Sequence, residues 1–204
     1  MTTVALLRTT YVNPYLGRTD GTTLPWSDTD CNTSITDALG DLWPDLGLRA
    51  TGTVATTTSR IVTMPASIQQ LTRIDVEDSS GNAIDEVTNW RYHYDTDPPT
   101  KILISPRLQS GYTLRLFGWL PFDSAGTNLI VRLENTVAMK ATGLLYGFLA
   151  GKLVDTQRQQ NLDSGRVVDY QTAVGLSAYW ERRYQEAIHG DPNRPGRHPS
   201  ASRR

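Results

Sequence analysis

Apolar residues recur at helical spacing in the first fifty residues of the chain. Ser27-Asp28 offers an N-cap, and the positions that follow up to Trp43-Pro44 predict a helix with one apolar face: Cys31, Ile35, Ala38, Leu39 and Leu42. A shorter helix is predicted from Val4 to Tyr11, with Leu6, Leu7 and Tyr11 turned inward. Asn13-Pro14 and Gly17 then predict a loop.

The same 3.6-residue period returns after a loop at Asp123 to Asn128. One predicted helix has the apolar stripe Leu133, Val137, Ala141, Leu144, Leu145, Phe148 and Leu153. A last helix, which Gly190 ends, has the inner face Tyr170, Ala173, Leu176, Trp180, Tyr184, Ala187 and Ile188. Helices therefore stand on both sides of the middle of the chain.

Between Thr51 and Phe122 the period changes to two, which is typical of strands. Apolar and polar positions alternate in three runs, whose inward sets are predicted to be Thr72, Ile74 and Val76; Ile102 and Ile104; and Tyr112, Leu114 and Leu116. In the first run Arg73, Asp75 and Glu77 take the outward positions. Turn residues separate the runs, so a small antiparallel sheet or sandwich is predicted.

The pattern as a whole predicts an α+β fold. A helical bundle made of 1–50 and 123–189 carries an inserted antiparallel β-sheet or sandwich segment, 51–122. An extended basic tail, 190–204, follows; its prolines, glycines and arginines cannot build a core. With 204 residues the chain suits one domain that carries an elaborate insertion.

Composition and charge narrow the function classes. Hydrophobic residues make up 38% and charged residues 20%, as in globular proteins, and the formal net charge is −1, so no global field recruits nucleic acid or an anionic membrane. The single cysteine, Cys31, excludes an intrachain disulfide framework and fits assembly in a reducing cytoplasm. No signal peptide is expected from the first residues, and no membrane span, because the most apolar run, Leu144 to Ala150, is short.

Residues that could carry chemistry do not converge. His93, His189 and His198 lie in separate settings without ligand spacing, so we expect no metal site. The close carboxylate pair Asp28 and Asp30 is explained by helix capping, and the pair Asp95 and Asp97 by turn chemistry. No phosphate-binding glycine loop occurs, and no cofactor and no catalytic residue are expected.

Two other features favour contacts over chemistry. One helix face carries three glycines at a spacing of four: Gly143, Gly147 and Gly151. Each glycine costs about 1 kcal/mol of helix stability relative to Ala, so the pattern predicts that another helix, from this chain or from another subunit, approaches closely. A flexible kink is the third option. Arg194, Arg197, Arg203 and Arg204 give the tail planar donors suited to carboxylates, so the tail is predicted to dock on a neighbouring protein. Contact with a DNA backbone is the competing use of these arginines.

The order of these elements resembles the head-to-tail connector, or adaptor, proteins of tailed bacteriophages. The resemblance lies in the helix from Trp26-Ser27-Asp28 to Trp43-Pro44, in the β insertion with Trp90-Arg91, and in the closing helix around Ala178 to Ala187. It spans most of the chain as a pattern of residue types, without an exact motif.

The resemblance implies a structural virion protein that forms a ring, expected to be twelvefold, beneath the portal at the junction of capsid and tail. The ring would extend the channel through which DNA passes without sequence-specific binding, and it would provide the docking site for the tail or the next connector ring. The carboxy-terminal segment would reach the portal protein. Self, portal and a next connector or tail-completion protein are thus the implied partners, with no membrane.

Two other hypotheses remain. The strand run Trp90-Arg91-Tyr92-His93-Tyr94 places three aromatics on one face; we interpret them as sheet core, but they could make the β segment a virion binding module that recognises a host-surface carbohydrate or protein. An enzyme is the third hypothesis, weakened because the sequence offers no nucleophile, base and orienting residue in one place.

Overall fold

The computed structural model describes residues 2–21, 23, 25–57, 59–94, 96, 98–105, 108, 110–156, 160–161 and 167–191. Its elements are α1 Val4–Leu7, a π-helical turn Arg8–Val12, α2 Asn13–Leu16, α3 Asp28–Asp41, β1 Leu48–Ala55, β2 Ile61–Thr63, β3 Gln70–Glu77, β4 Ala83–Glu86, β5 Trp90–His93, β6 Lys101–Ile104, β7 Thr113–Leu120, a 3₁₀ turn Val131–Leu133, α4 Glu134–Thr156, β8 Gln160–Asn161, β9 Val167–Val168 and α5 Tyr170–Gly190. The fold is α+β, as predicted. It divides into two compact units: a helical unit, 1–46 with 122–204, and a β unit, 47–121.

Helix α3 begins where the sequence places its cap. Ser27 Oγ accepts a hydrogen bond from Asp30 N at 3.1 Å, and the Asp30 carboxylate accepts one from Ser27 N at 2.7 Å, which is a complete capping box. These bonds hold the pKa of Asp30 below its usual range. The predicted inner face is confirmed, since all five of its apolar residues are buried: Cys31, Ile35, Ala38, Leu39 and Leu42.

The first helical stretch differs from its prediction. Leu7 is buried as expected, but Leu6 is exposed and Tyr11 is half-buried. The reason is the π-helical turn, which widens the helix and makes the next buried position Val12, five residues after Leu7. A regular 3.6-residue period cannot describe this stretch. The loop predicted from Asn13-Pro14 is also wrong there, because these residues open α2 and proline fits the first turn of a helix.

Single polar bonds join the two parts of the helical unit that precede and follow the β unit. Trp26 Nε1 donates to the Leu145 carbonyl of α4 at 3.0 Å, and its ring lies edge-on to Tyr146 with centroids 5.2 Å apart. The buried Glu134 carboxylate accepts hydrogen bonds from Thr2 Oγ1 and from Tyr11 Oη, which raises the pKa of Tyr11. The π-helical turn and α3 both pack against α4.

The β unit contains two sheets around one apolar core. The larger has the strand order β1-β7-β3-β4 and the smaller β2-β6-β5, with every neighbouring pair antiparallel. Both sheets contribute to the core, which includes Val62, Leu71, Ile74, Val76, Ile102, Ile104, Leu114 and Leu116. The unit's first strand pairs directly with its last, from Leu48 opposite Leu120 to Ala55 opposite Thr113.

Strand β3 corrects one predicted alternation. Ile74 and Val76 are buried as predicted, but Thr72 is exposed, because the register against β7 shifts between Leu71 and Arg73 and Leu71 takes the buried position. Asp75 and Glu77, predicted to lie outward, are also buried. Arginines offset the cost of that burial: Arg73 Nε lies 2.6 Å from Asp75 and Arg115 Nε 2.8 Å from Glu77.

One stretch has the length and composition of a membrane-spanning helix. Val131–Val154 contains an 18-residue window with a mean hydropathy of 1.3, and 56% of that window is buried inside the fold. It is longer than the run counted from the sequence, because small residues separate its larger apolar ones. It contacts both α3 and α5, which is the arrangement of a central helix in a packed bundle.

Candidate assembly surface

An open groove runs between α4 and α5. Its volume is about 700 Å³, and its walls are Phe148 and Val154 of α4 and Tyr170 and Val174 of α5, with Gly147 and Gly151 at its base. The four large side chains are between 43% and 53% exposed. We call this surface the α4–α5 groove. Contiguous apolar side chains open to solvent mark interaction sites on soluble domains.

The charged groups at the rim of the groove are already paired. Glu181 accepts hydrogen bonds from Lys140 Nζ at 3.0 Å and from Gln185 at 2.9 Å. Burial acts to raise the pKa of Glu181, but these two bonds outweigh it, so the pKa lies below its usual range. Lys152 Nζ lies 4.2 Å from the centre of the Phe148 ring, a cation–π contact. The groove therefore presents a face that favours an apolar partner over a charged one.

The three aligned glycines have different surroundings. A Cβ at Gly143 would lie 3.4 Å from Trp180 Cβ and 3.6 Å from the Glu181 backbone nitrogen, and Ser177 Oγ donates to the Gly143 carbonyl at 2.9 Å. Among the described residues, a Cβ at Gly147 would meet only Ser177 Oγ, at 3.3 Å. At Gly151 no atom of those residues lies within 4 Å. One end of the glycine face is thus in contact with α5, and the other end opens into the groove.

The groove explains two errors in the sequence prediction. Phe148 and Tyr170 were predicted to face inward and are exposed, while Leu144, Leu176, Trp180 and Ala187 are half-buried. The remaining predicted positions of α4 and α5 are buried, and so are Ala138, Tyr146, Leu149 and Ala150, which the stripe omitted. An apolar stripe shows that a face avoids water, but it does not distinguish burial within the chain from burial against a partner. The sequence therefore shows the apolar residues of the groove but not that they are open to solvent.

The aromatic strand β5 is partly core, as interpreted, and partly exposed. Trp90 and Tyr92 pack against the core of the β unit in an edge-to-face pair with centroids 5.5 Å apart. Tyr92 Oη accepts a hydrogen bond from Leu71 N at 2.8 Å, and burial raises the pKa of Tyr92. Tyr94, however, is 78% exposed, so the interpretation as core is wrong there. It follows the last residue of an edge strand, where inward packing ends.

The residues considered for chemistry divide between the two units: His93 lies in β5, and Asp28, Cys31 and His189 lie in helices of the helical unit. Among the described residues no group of three or more His, Cys, Asp or Glu side chains could hold a metal ion. Asp28 does not cap α3; it accepts a hydrogen bond from Arg18 at 2.6 Å, which holds the pKa of Asp28 below its usual range. Cys31 is buried, and that burial raises the pKa of its thiol. These contacts support the fold of the helical unit.

Several predicted residues lie outside the described residues: Asp95, Asp97, His198 and the tail arginines Arg194, Arg197, Arg203 and Arg204. The described chain ends at Asp191, just after α5. Arg132 Nη2 lies 3.1 Å from the Asp191 carboxylate, so the end of α5 is held near the start of α4.

Comparison with known proteins gives similar structures only. No family model and no curated protein sequence matches the chain. A chain from the virion of a native gene transfer agent particle is similar at 14% identity, with 87% of each chain covered and a TM-score of 0.32. A chain from the neck of the empty particle, computed with C6 symmetry, has 15% identity, 87% of each chain and a TM-score of 0.32.

A chain from the neck of the native particle, computed with C12 symmetry, is also similar. It has 14% identity and a TM-score of 0.30, and the match covers 74% of this chain and 80% of that one. TM-scores and identities this low establish neither a common fold nor a common function.

Proposed function

We propose that this chain is a structural subunit of a phage-like virion and that it forms the connector ring beneath the portal. The observation that carries the proposal is the α4–α5 groove, an open apolar surface on an otherwise packed helical unit. The family resemblance of the sequence supplies the location, at the junction of head and tail. The ring would extend the DNA channel and provide the surface on which the tail or the next ring docks.

The occupant of the groove is a second copy of this chain. Two concave grooves cannot fill each other, so a two-fold dimer through this surface is disfavoured. The groove must take a different, convex surface of the neighbour. Such heterologous contacts produce rings when the rotation closes. The open base at Gly151 lets a neighbouring helix approach closely, and the paired rim charges leave the apolar side chains to drive association.

Magnitudes indicate that free subunits associate weakly. Full burial of a large apolar side chain contributes about 1.5–3 kcal/mol, so four side chains that are already half-buried contribute roughly 4 kcal/mol together. Association costs an estimated 4–15 kcal/mol in lost freedom. One groove therefore does not suffice for a stable free complex, and the ring is completed on a template, the portal.

The tail supplies the attachment to that template. Arg194, Arg197, Arg203 and Arg204 offer planar donors for carboxylates on the portal protein, and many copies around a ring act together. Each tail would contribute little binding free energy by itself, since exposed ion pairs are weak.

Electron microscopy of the protein with nuclease-treated, DNA-free portal tests the ring. Wild type is expected to form rings on the portal, and Val174→Glu is expected to fold normally and to form none, because it places a charge in the groove. Val131→Glu is the matched control, since Val131 is 72% exposed and is not part of the groove lining. Rings from Val174→Glu, or no rings from wild type with portal, would refute the proposal.

Truncation after Asp191 tests the tail separately. This cut keeps the Arg132–Asp191 ion pair, so the melting temperature is expected to stay unchanged while attachment to the portal is lost. Replacement of the four arginines by glutamine is expected to weaken attachment at low salt. The difference from wild type is expected to shrink as salt rises, because the screening length is about 10 Å at 0.1 M salt and becomes shorter above it. Equal binding of truncated and full-length protein to DNA-free portal would end the docking role.

A second function, recognition of a surface carbohydrate by the β unit, is favoured by one observation. Tyr94 is almost fully exposed beside a groove of about 530 Å³ lined by Trp90, Arg91, Tyr92, His93 and Leu103. A glycan array with wild type and Tyr94→Ala tests it: binding that Tyr94→Ala abolishes would support this function, and no binding by wild type would reject it.

A further inference from the structure

The outer strand β1 of the larger sheet has an open edge. Within the described part of the chain, β1 forms ladder pairs with β7 only, over its whole length from Leu48 to Ala55 and without a register shift. Half of the backbone N–H and C=O groups of such a strand point away from its one neighbour. Proteins usually protect these groups with prolines, charges, bulges or short strands. Strand β1 has no proline and a single charged residue, Arg49, near its start.

The opposite edge of the same sheet is strand β4. Among the described strands it pairs with β3 only, and all four of its residues are exposed: Ala83, Ile84, Asp85 and Glu86. Ile84 is 53% exposed and is the extra residue of a β-bulge, since Val76 pairs with Asp85 and Glu77 with Ala83. This edge is short and acidic, so like charges oppose pairing with a second β4.

Strand directions allow one edge to receive the other. Each neighbouring pair in the order β1-β7-β3-β4 is antiparallel, so β4 runs opposite to β1. A rotation about an axis roughly along the strands leaves strand direction unchanged. It therefore brings β1 of the next copy alongside β4 in antiparallel orientation, which continues the sheet from copy to copy. With an odd number of strands this contact would be parallel.

The charges select the register. Arg49 pairs with Trp119 of β7, and Glu86 pairs with Asp75, which pairs in turn with Arg115 of β7. Trp119 and Arg115 are four residues apart on β7, so their side chains are on the same face of the sheet. Arg49 and Glu86 therefore lie on that face as well. Arg73 Nε lies 3.9 Å from Glu86 on that face. An antiparallel pairing with Glu86 opposite the next copy's Arg49 also puts Asp85 opposite Ala50 of that copy, before the bulge at Ile84.

We propose that subunits in the ring join edge to edge through the β unit, with β4 of one copy paired to β1 of the next. The occupant of each open edge is a second copy of this chain. The inference rests on the proposed ring and names a contact within it, in addition to the α4–α5 groove. Pairing over only four residues is weak alone, as a ring completed on the portal requires.

Disulfide cross-linking tests the pairing and its register. Directly opposed antiparallel residues have Cα atoms about 4.5–5.5 Å apart, within disulfide range. Within one chain β1 and β4 are three strand spacings apart, roughly 14 Å, so no intrachain bond can form. The double variant Ala50→Cys with Asp85→Cys, assembled on portal and oxidised, is expected to give a ladder of covalent multimers. Each single variant is expected to give none, and the native Cys31 is buried.

Charge reversal tests the same contact without cross-linking. Arg49→Glu alone and Glu86→Arg alone are each expected to lose rings on the portal. An equal mixture of the two proteins is expected to regain them, because alternating copies place opposite charges at every junction. The double reversal in one chain is expected to regain rings as well.

The outcomes separate this inference from the proposed function. If wild type forms rings but the double-cysteine variant gives no ladder, or if both single reversals form rings, the edge contact is refuted and the connector role stands. Dimers from Ala50→Cys alone would show that β1 pairs with a second β1, which also refutes the proposal. Absence of rings from wild type with portal refutes the connector role and this contact with it.

Discussion

The helical unit and the β unit hold their parts together in different ways. In the helical unit single side chains join residues more than a hundred positions apart: Thr2 to Glu134, Trp26 to Leu145 and Tyr184 to Asp41. In the β unit the joining is done by ladders of backbone bonds between strands that lie within 47–121. Its ion pairs join residues of the same strand or of adjacent strands, as Arg73 with Asp75 and Arg115 with Glu77.

The two units are therefore expected to differ in how strongly single substitutions affect their stability. A ladder spreads its stabilisation over many backbone groups, so that no one side chain is needed to close the sheet. The helical unit must bring together two parts of the chain that the β unit separates, and a few buried contacts do this. Substitutions at those contacts are therefore expected to have the largest effects on stability.

Trp26→Ala provides the strongest test of that contrast. Truncation of a buried aromatic side chain costs about 3–5 kcal/mol in unfolding free energy, and here it also removes the bond to the Leu145 carbonyl. Trp26→Phe is the matched control, because it keeps an aromatic ring and loses the N–H donor, at about 1 kcal/mol for the bond plus a smaller packing loss. Denaturant unfolding followed by circular dichroism measures both. If Trp26→Ala lowered the unfolding free energy by less than about 1 kcal/mol, Trp26 would not be an important link between the two parts of the helical unit.

The two ends of the glycine face sharpen the comparison within one helix. Gly143→Leu is expected to destabilise the free protein by roughly 1–3 kcal/mol, because the side chain would meet the backbone of α5. Gly151→Leu meets no neighbour in the described part of the chain, so it is expected to leave stability unchanged or to raise it by up to about 1 kcal/mol through helix propensity.

Assembly should reverse this order. In the proposed ring Gly151 lies under a neighbouring helix, and Gly151→Leu is expected to prevent ring formation on the portal despite its normal melting temperature. Normal rings from this variant would show that the open end of the glycine face is ordinary surface.

A pH titration gives the smallest effect. Hydrogen bonding from Arg18 lowers the pKa of Asp28 in the folded helical unit, and hydrogen bonds from Asn82 lower that of Asp78 in the β unit. A depressed carboxyl pKa stabilises the fold above the unfolded value of about 3.9, and this stabilisation is lost as pH falls through the folded pKa.

Asp28→Asn is therefore expected to flatten the acid side of the stability curve, below about pH 5, and to lower stability at neutral pH. Asp78→Asn, at an exposed turn with local partners only, is expected to do the same more weakly. Equal slopes in Asp28→Asn and wild type would show that solvent screens the pair with Arg18.

Local signals in the sequence predict much of this fold. Helix α3 follows entirely from them, because Ser27 and Asp30 define its start and the spacing of its apolar residues defines its inner face. Strands β6 and β7 follow from alternation alone, since no bulge interrupts their buried positions Ile102, Ile104, Leu114 and Leu116.

The remaining features depend on distant neighbours. The shift in β3 is defined only by its pairing with β7, and the π-helical turn is not visible in a 3.6-residue count. In α4 apolar residues occur on nearly every face, so the sequence could not show that Phe148 would be left open. A groove is a property of two helices together, whereas each stripe was read from one helix.

Because Leu48 pairs directly with Leu120, the β unit is an insertion whose two ends lie next to each other. Its entry and exit lie about 5 Å apart, the separation of opposed residues on adjacent antiparallel strands. A short turn in place of 47–121 would leave α3 and the segment leading to α4 the same distance apart as they are now. Related chains could therefore lose, lengthen or replace this segment without any change in the length of the connections around it, and an engineered chain could carry a foreign domain at the same position.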